Sequence, residues 1–147
     1  MTPRRLDIDA VQRRLGDIRR ALGRLDELEP NGVEELRSDW QRLATTERVL
    51  SVLVEAAVKL NTHVVSTSVG RSPETYRASF AGAADAGALP HELAEGLAAS
   101  AGLRNVIVHL YDEIDLDKLA AGVASARELY PSYVMHLAAY ARAATEE

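Results

Sequence analysis

The chain has 147 residues, 47% hydrophobic and 27% charged, a balance that supports a packed core and excludes a disordered polymer. It carries no cysteine, which rules out disulfides, thiolate nucleophiles and cysteine-based zinc sites. A net charge of −5 argues against a general nucleic-acid coat protein, though not against an enzyme that grips one phosphate locally.

Residues 1–147 read as one domain of ordinary size. The segment Met1 to Asp7 lacks the apolar run of a signal peptide, and no stretch approaches the roughly 18 apolar residues of a membrane span. The expectation is a soluble, cytoplasmic protein with no membrane association.

Every long segment has helical period and none has sustained strand alternation. In the first, Ile8, Val11, Leu15, Ile18, Leu22 and Leu25 form a seam at spacings of three and four, ending before Pro30-Asn31-Gly32. Seven arginines fall within the first 24 residues: Arg4, Arg5, Arg13, Arg14, Arg19, Arg20 and Arg24. A solvated helix face is the plainer reading of that cluster; an electrostatic track for RNA is the other.

A second helix is expected from about Asp39 to Val69, with Val49 to Leu60 apolar nearly all round, as suits the centre of a bundle. Its seam would include Leu36, Trp40, Leu43, Glu47, Leu50 and Val54. Glu47 on that seam needs a partner or a shift toward its neutral form. Arg48 or Arg19 is the nearer choice, bracing of Arg104 or His109 the other. Glu55, eight residues on, lies near the same side.

Gly70 is a stop signal, and Ser72-Pro73 an N-cap and first position for a short third helix to about Ala86. Gly87 and Pro90 punctuate the chain before a fourth helix, Pro90 to Glu113. Asp115 or Asp117 then caps a fifth toward Ala144, with a kink or short break expected at Pro131. The architecture is an all-α up-and-down bundle of four or five helices.

The fourth helix carries the chemistry. At roughly 100° per residue, Leu103, Val106, Ile107, Leu110 and Ile114 share one arc, the core face. Asn105, His109 and Asp112 fall on the opposite side, with Arg104 and Tyr111 at its edge. Val108 sits within this polar arc, where it would serve a dimer seam and bring two arginines and two histidines around one cleft. Arginine holds phosphate and histidine moves protons near neutral pH, the minimum for phosphodiester chemistry. No metal site is expected, because His63, His91, His109 and His136 lack ligand spacing. His63 is expected on a helix surface and His136 after the Pro131 break.

The run Arg104-Asn105-x-x-x-His109-x-Tyr111, followed by Ile114-Asp115, resembles the motif of HepT-like toxins, a branch of the HEPN superfamily of α-helical ribonucleases. The order and length of the helices extend the likeness over most of the chain. The resemblance implies an endoribonuclease without a cofactor or metal, built by a homodimer whose motif residues line a shared cleft. Arg104, Asn105 and His109 would be catalytic, with Arg104, Asn105 and Tyr111 contacting the RNA substrate. It also implies a nucleotidyltransferase antitoxin of the MntA type that places AMP on Tyr111. A catalytically silent helical module that binds nucleotide or a partner protein through Arg104 and His109 is the alternative from another class. A bundle whose motif serves only dimer packing is a third.

Overall fold

The computed structural model describes residues 5–28, 33–99 and 116–146. Their regular elements are all helices, with no strand among the described residues, as the all-α reading requires. In chain order the helices are α1 (Ile8–Leu28), α2 (Val33–Ser38), α3 (Trp40–Val69), α4 (Tyr76–Asp85), α5 (described over 91–99) and α6 (Leu116–Thr145).

Helix α1 follows its seam. Val11, Leu15, Ile18, Ala21 and Leu25 are buried, flanked by the half-buried Ile8 and Leu22. Asp7 caps it, its Oδ1 accepting the Ala10 N–H at 3.1 Å. Helix α1 packs on α3 and α6, and the Arg127 guanidinium donates to Asp26 at 2.9 Å where α1 meets α6.

Helix α3 is the hub. Asp39 caps its start by accepting the Arg42 N–H, and Gly70 ends it at φ 74°, its N–H reaching the Ser66 carbonyl. A positive φ is where glycine costs least, so the chain can leave the helix there without strain. Between these caps, α3 buries residues on nearly every side from Val49 to Val65 because α1, α4, α2 and α6 all lie against it. Its apolar character is strong enough to bear on the membrane expectation. An 18-residue window reaches a mean hydropathy of 1.3, the level of a span by length and composition, but 61% of it is buried inside the fold. The charges and amides that interrupt the run (Glu55, Lys59, Asn61) belong to a core helix.

Three expectations about elements need correction. Leu36 and Trp40 do not share a seam, because Leu36 belongs to the separate helix α2 and the phase resets at Ser38-Asp39. Leu36 is fully buried whereas Trp40 is 76% exposed. An ion pair between Glu35 and Arg42 ties α2 to α3. The cap of α4 is Thr75, whose hydroxyl accepts the Ala78 N–H at 3.0 Å, so Ser72-Pro73 lies in the preceding turn. Helix α6 runs unbroken through Pro131 from Leu116, with Asp117 in its first turn and Asp115 outside the described residues. The short break expected at Pro131 is therefore absent; proline there lacks the N–H that would reach the Arg127 carbonyl, and its ring is exposed.

The core closes around aromatic side chains from α4 and α6. Tyr133 meets Phe80 and Tyr130 edge-on, at centroid distances of 6.2 and 5.6 Å, the arrangement ring quadrupoles favour. A polar chain runs through the same region. The Tyr133 hydroxyl donates to Asn61 Oδ1 at 2.7 Å, Asn61 Nδ2 donates to Ser79 Oγ at 3.2 Å, and the Ser79 hydroxyl donates to the Tyr76 carbonyl at 2.6 Å. These buried groups are therefore satisfied by one another, and they join α6, α3 and α4. Gly82 lets α4 approach α3 closely: a Cβ there would stand 2.6 Å from Val65 Cγ2.

Candidate functional site

Arg104, Asn105, His109 and Tyr111 lie outside the described residues, as do the core arc from Leu103 to Ile114 and the seam residue Val108. The described chain fixes what leads into and out of that segment. Helix α5 buries Ala94, Leu97 and Ala98, and a Cβ at Gly96 would sit 3.2 Å from Leu129 Cδ1, so α5 approaches α6 closely. Helix α6 then begins at Leu116 and buries Leu119, Val123 and Ala126. The described residues on either side of that segment, Leu97 and Ala98 on α5 and Leu119 and Val123 on α6, are buried in the core.

Helix α3 carries the two carboxylates Glu47 and Glu55. Glu47 is half-buried, with Oε1 shielded from solvent and without a hydrogen-bond partner among the described residues. Loss of solvation pushes its carboxyl up from the ordinary carboxylate value. It forms no ion pair with Arg48 or Arg19, both of which are exposed, so the expected pairing is not found.

Glu55, also half-buried, lines a groove of about 410 Å³ with Val58, Lys59, Thr62 and Tyr76. Four of its lining residues belong to α3, and Tyr76 is the first residue of α4. A carboxylate, an ammonium, a hydroxyl and a phenol on an aliphatic wall can accept and donate hydrogen bonds to a polar ligand.

The histidines have separate structural situations. His63 is not a bare surface residue: it is half-buried, and its Nε2 accepts the Asp7 N–H at 2.9 Å, tying the start of α1 to α3. The contact spans 56 residues, so no local pattern announces it. His91 is exposed beside Asp85 at 3.0 Å, bridging the turn between α4 and α5. His136 is half-buried within the continuous α6. No group of three potential metal ligands occurs among the described residues.

Comparison with known proteins places these observations in a family. The family model described as "Ribonuclease HepT-like" matches residues 18–135, a range that contains the whole Arg104–Tyr111 motif. The tRNA nuclease HepT of Aphanizomenon flos-aquae is 31% identical over 137 residues, covering 93% of each chain. Among solved structures, a tri-AMPylated HEPN toxin of Shewanella oneidensis in complex with an MNT antitoxin is similar at a TM-score of 0.79 and 23% identity. It covers 89% of this chain and 98% of its own. A toxin–antitoxin structure with AMP-PNP is alike at a TM-score of 0.79 and 21% identity, with the same coverage of 89% and 98%. At that identity the structural likeness carries the fold.

Proposed function

Because the chain belongs to the ribonuclease HepT-like family, we propose that it is the toxin of a toxin–antitoxin pair and a cytoplasmic endoribonuclease that cuts tRNA. The observation that carries this reading is the 31% identity to a tRNA nuclease over 93% of both chains, which takes in the motif segment.

Arg104, Asn105 and His109 supply the chemistry. His109 takes the proton from a ribose 2′-hydroxyl, whose oxygen attacks the adjacent phosphorus. The bond to the departing 5′-oxygen breaks, that oxygen is protonated, and a 2′,3′-cyclic phosphate remains. Positioned proton transfer of this kind contributes about 10²–10⁴-fold in rate. Arg104 holds the scissile phosphate and offsets the charge that builds on its non-bridging oxygens. Asn105, one turn before His109, orients the imidazole or donates to the phosphate. Attack by a 2′-hydroxyl restricts the substrate to RNA. The reaction needs no metal, and two copies of the chain complete one cleft.

Control comes from a nucleotidyltransferase partner. The Tyr111 oxygen attacks the α-phosphorus of ATP, pyrophosphate leaves, and AMP remains on the phenol. A bulky anion beside Arg104 then fills the cleft and competes for the guanidinium.

The test is to incubate purified protein with tRNA in excess chelator, beside Arg104→Ala and His109→Ala. Cleavage by wild type, lost in both variants while the fold is kept, is the expected result. Intact tRNA in all three overturns the enzymatic reading in favour of a silent binding module. Co-expression with the partner should add AMP masses to wild type and none to Tyr111→Phe; AMP on the variant overturns the assignment of Tyr111. Light scattering at micromolar concentration should give a dimer, and a monomer overturns the shared cleft.

A further inference from the structure

Helix α1 sorts the arginines near the N-terminus by face, and Arg20 serves two of their arrangements. Arg14 and Arg20 both reach Asp17, which they partly neutralise. Arg13, Arg20 and Arg24, spaced seven and four, share one exposed stripe of α1. At 1.5 Å per residue the stripe is about 16 Å long. From the other side, α3 presents the exposed Arg48.

Between the two helices lies a groove of about 280 Å³, lined by Asp17, Arg20, Ala21, Arg24, Arg48, Val49 and Val52. Arg20 is paired with Asp17, so Arg24 and Arg48 are the cations of the lining that this carboxylate does not neutralise, beside the aliphatic Ala21, Val49 and Val52. Arg24 and Arg48 have no hydrogen bond or ion pair among the described residues. The lining of this groove thus carries three arginines against one aspartate in a chain whose net charge is −5.

We propose that this groove binds the phosphate backbone of the RNA substrate, giving affinity and register while the motif residues break the bond. The inference rests on the ribonuclease reading above. Guanidinium forks match phosphate oxygens in pairs, and the aliphatic floor accepts the face of a ribose or base. Walls charged on both sides fit a strand passing between them. A flat acidic protein surface would reach both walls only by inserting a ridge.

The experiment uses the full-length protein carrying His109→Ala, so that RNA stays intact, and titrates it with bulk tRNA over a range of salt. In that background Arg24→Ala/Arg48→Ala is compared with Arg71→Ala/Arg142→Ala, which removes two exposed arginines from elsewhere. The groove variant should bind roughly tenfold more weakly, and its log–log salt slope should be shallower by about two, one for each lost phosphate contact. The control should stay within about twofold. In the active background the groove variant should raise KM with kcat kept.

Equal losses in both pairs overturn the groove, as does unchanged RNA affinity accompanied by lost co-purification with the antitoxin. Cleavage by wild type with groove-independent binding overturns the groove alone. Groove-dependent binding without any cleavage overturns the ribonuclease reading and leaves the groove standing. Melting temperatures equal to wild type confirm that each variant is folded.

Discussion

The Tyr133 hydroxyl stands 2.7 Å from Asn61 Oδ1, joining α6 to α3 across 72 residues of sequence. Both side chains are fully buried, so the bond has no water to replace it. Tyr133→Phe should therefore cost about 1–3 kcal/mol, because Asn61 keeps a buried acceptor without that donor. Urea unfolding monitored by circular dichroism reads the loss; a change under a few tenths would mean the amide finds another donor.

The same hydroxyl sets an alkaline limit. Burial, and then the neighbouring Tyr130, holds the Tyr133 phenol well above its ordinary range. A group raised in the folded state contributes its full stability below the unfolded value, about 10 for tyrosine, and loses it as pH climbs past that. Wild type should thus lose stability steeply above pH about 10, and Tyr133→Phe should show a flatter alkaline limb.

Close approach of α4 to α3 depends on a missing methyl group. Gly82→Ala would place its Cβ 2.6 Å from a β-branched, buried Val65, and should destabilise by about 1–3 kcal/mol. Adding Val65→Ala should recover part of the loss, a coupling that a double-mutant cycle measures.

Glu47 carries the opposite sign of pH dependence from a salt-bridged acid. Its raised carboxyl favours the folded state below the ordinary carboxylate range and disfavours it as pH rises through the shifted value. Glu47→Gln should raise Tm at pH 7 and have little effect near pH 4. A lower Tm at pH 7 would show that the charge is useful to the fold.

The cap of α4 can be tested by a pair of substitutions. Thr75→Ala should cost about 1 kcal/mol by leaving the Ala78 N–H without its acceptor. Ser72→Ala should be close to neutral.

Local chemistry made much of this fold legible before any coordinates. The α1 seam, the start of α3 near Asp39 and the Gly70 stop each rest on local signals. Errors arose where two local signals competed. Ser72-Pro73 and Thr75 are both competent starts for a helix, and only the docking of Phe80 and Ala83 against α3 selects the second. A continuous hydrophobic period hid the reset between α2 and α3, which left Trp40 outside the core. Tyr133 with Asn61, and His63 with Asp7, are contacts at long sequence separation and leave no local trace. The motif itself was legible through its wording, Arg104-Asn105 with His109 and Tyr111, and the family match spans it.

Being wrapped by neighbours has a kinetic consequence for α3. Between Val49 and Val65 most of its residues are buried against several different helices, so the fraying of one neighbour uncovers only one of its faces. Their backbone amides should be among the last to exchange with deuterium, at rates set by whole-molecule opening, while those of α2 and the exposed end of α6 exchange early.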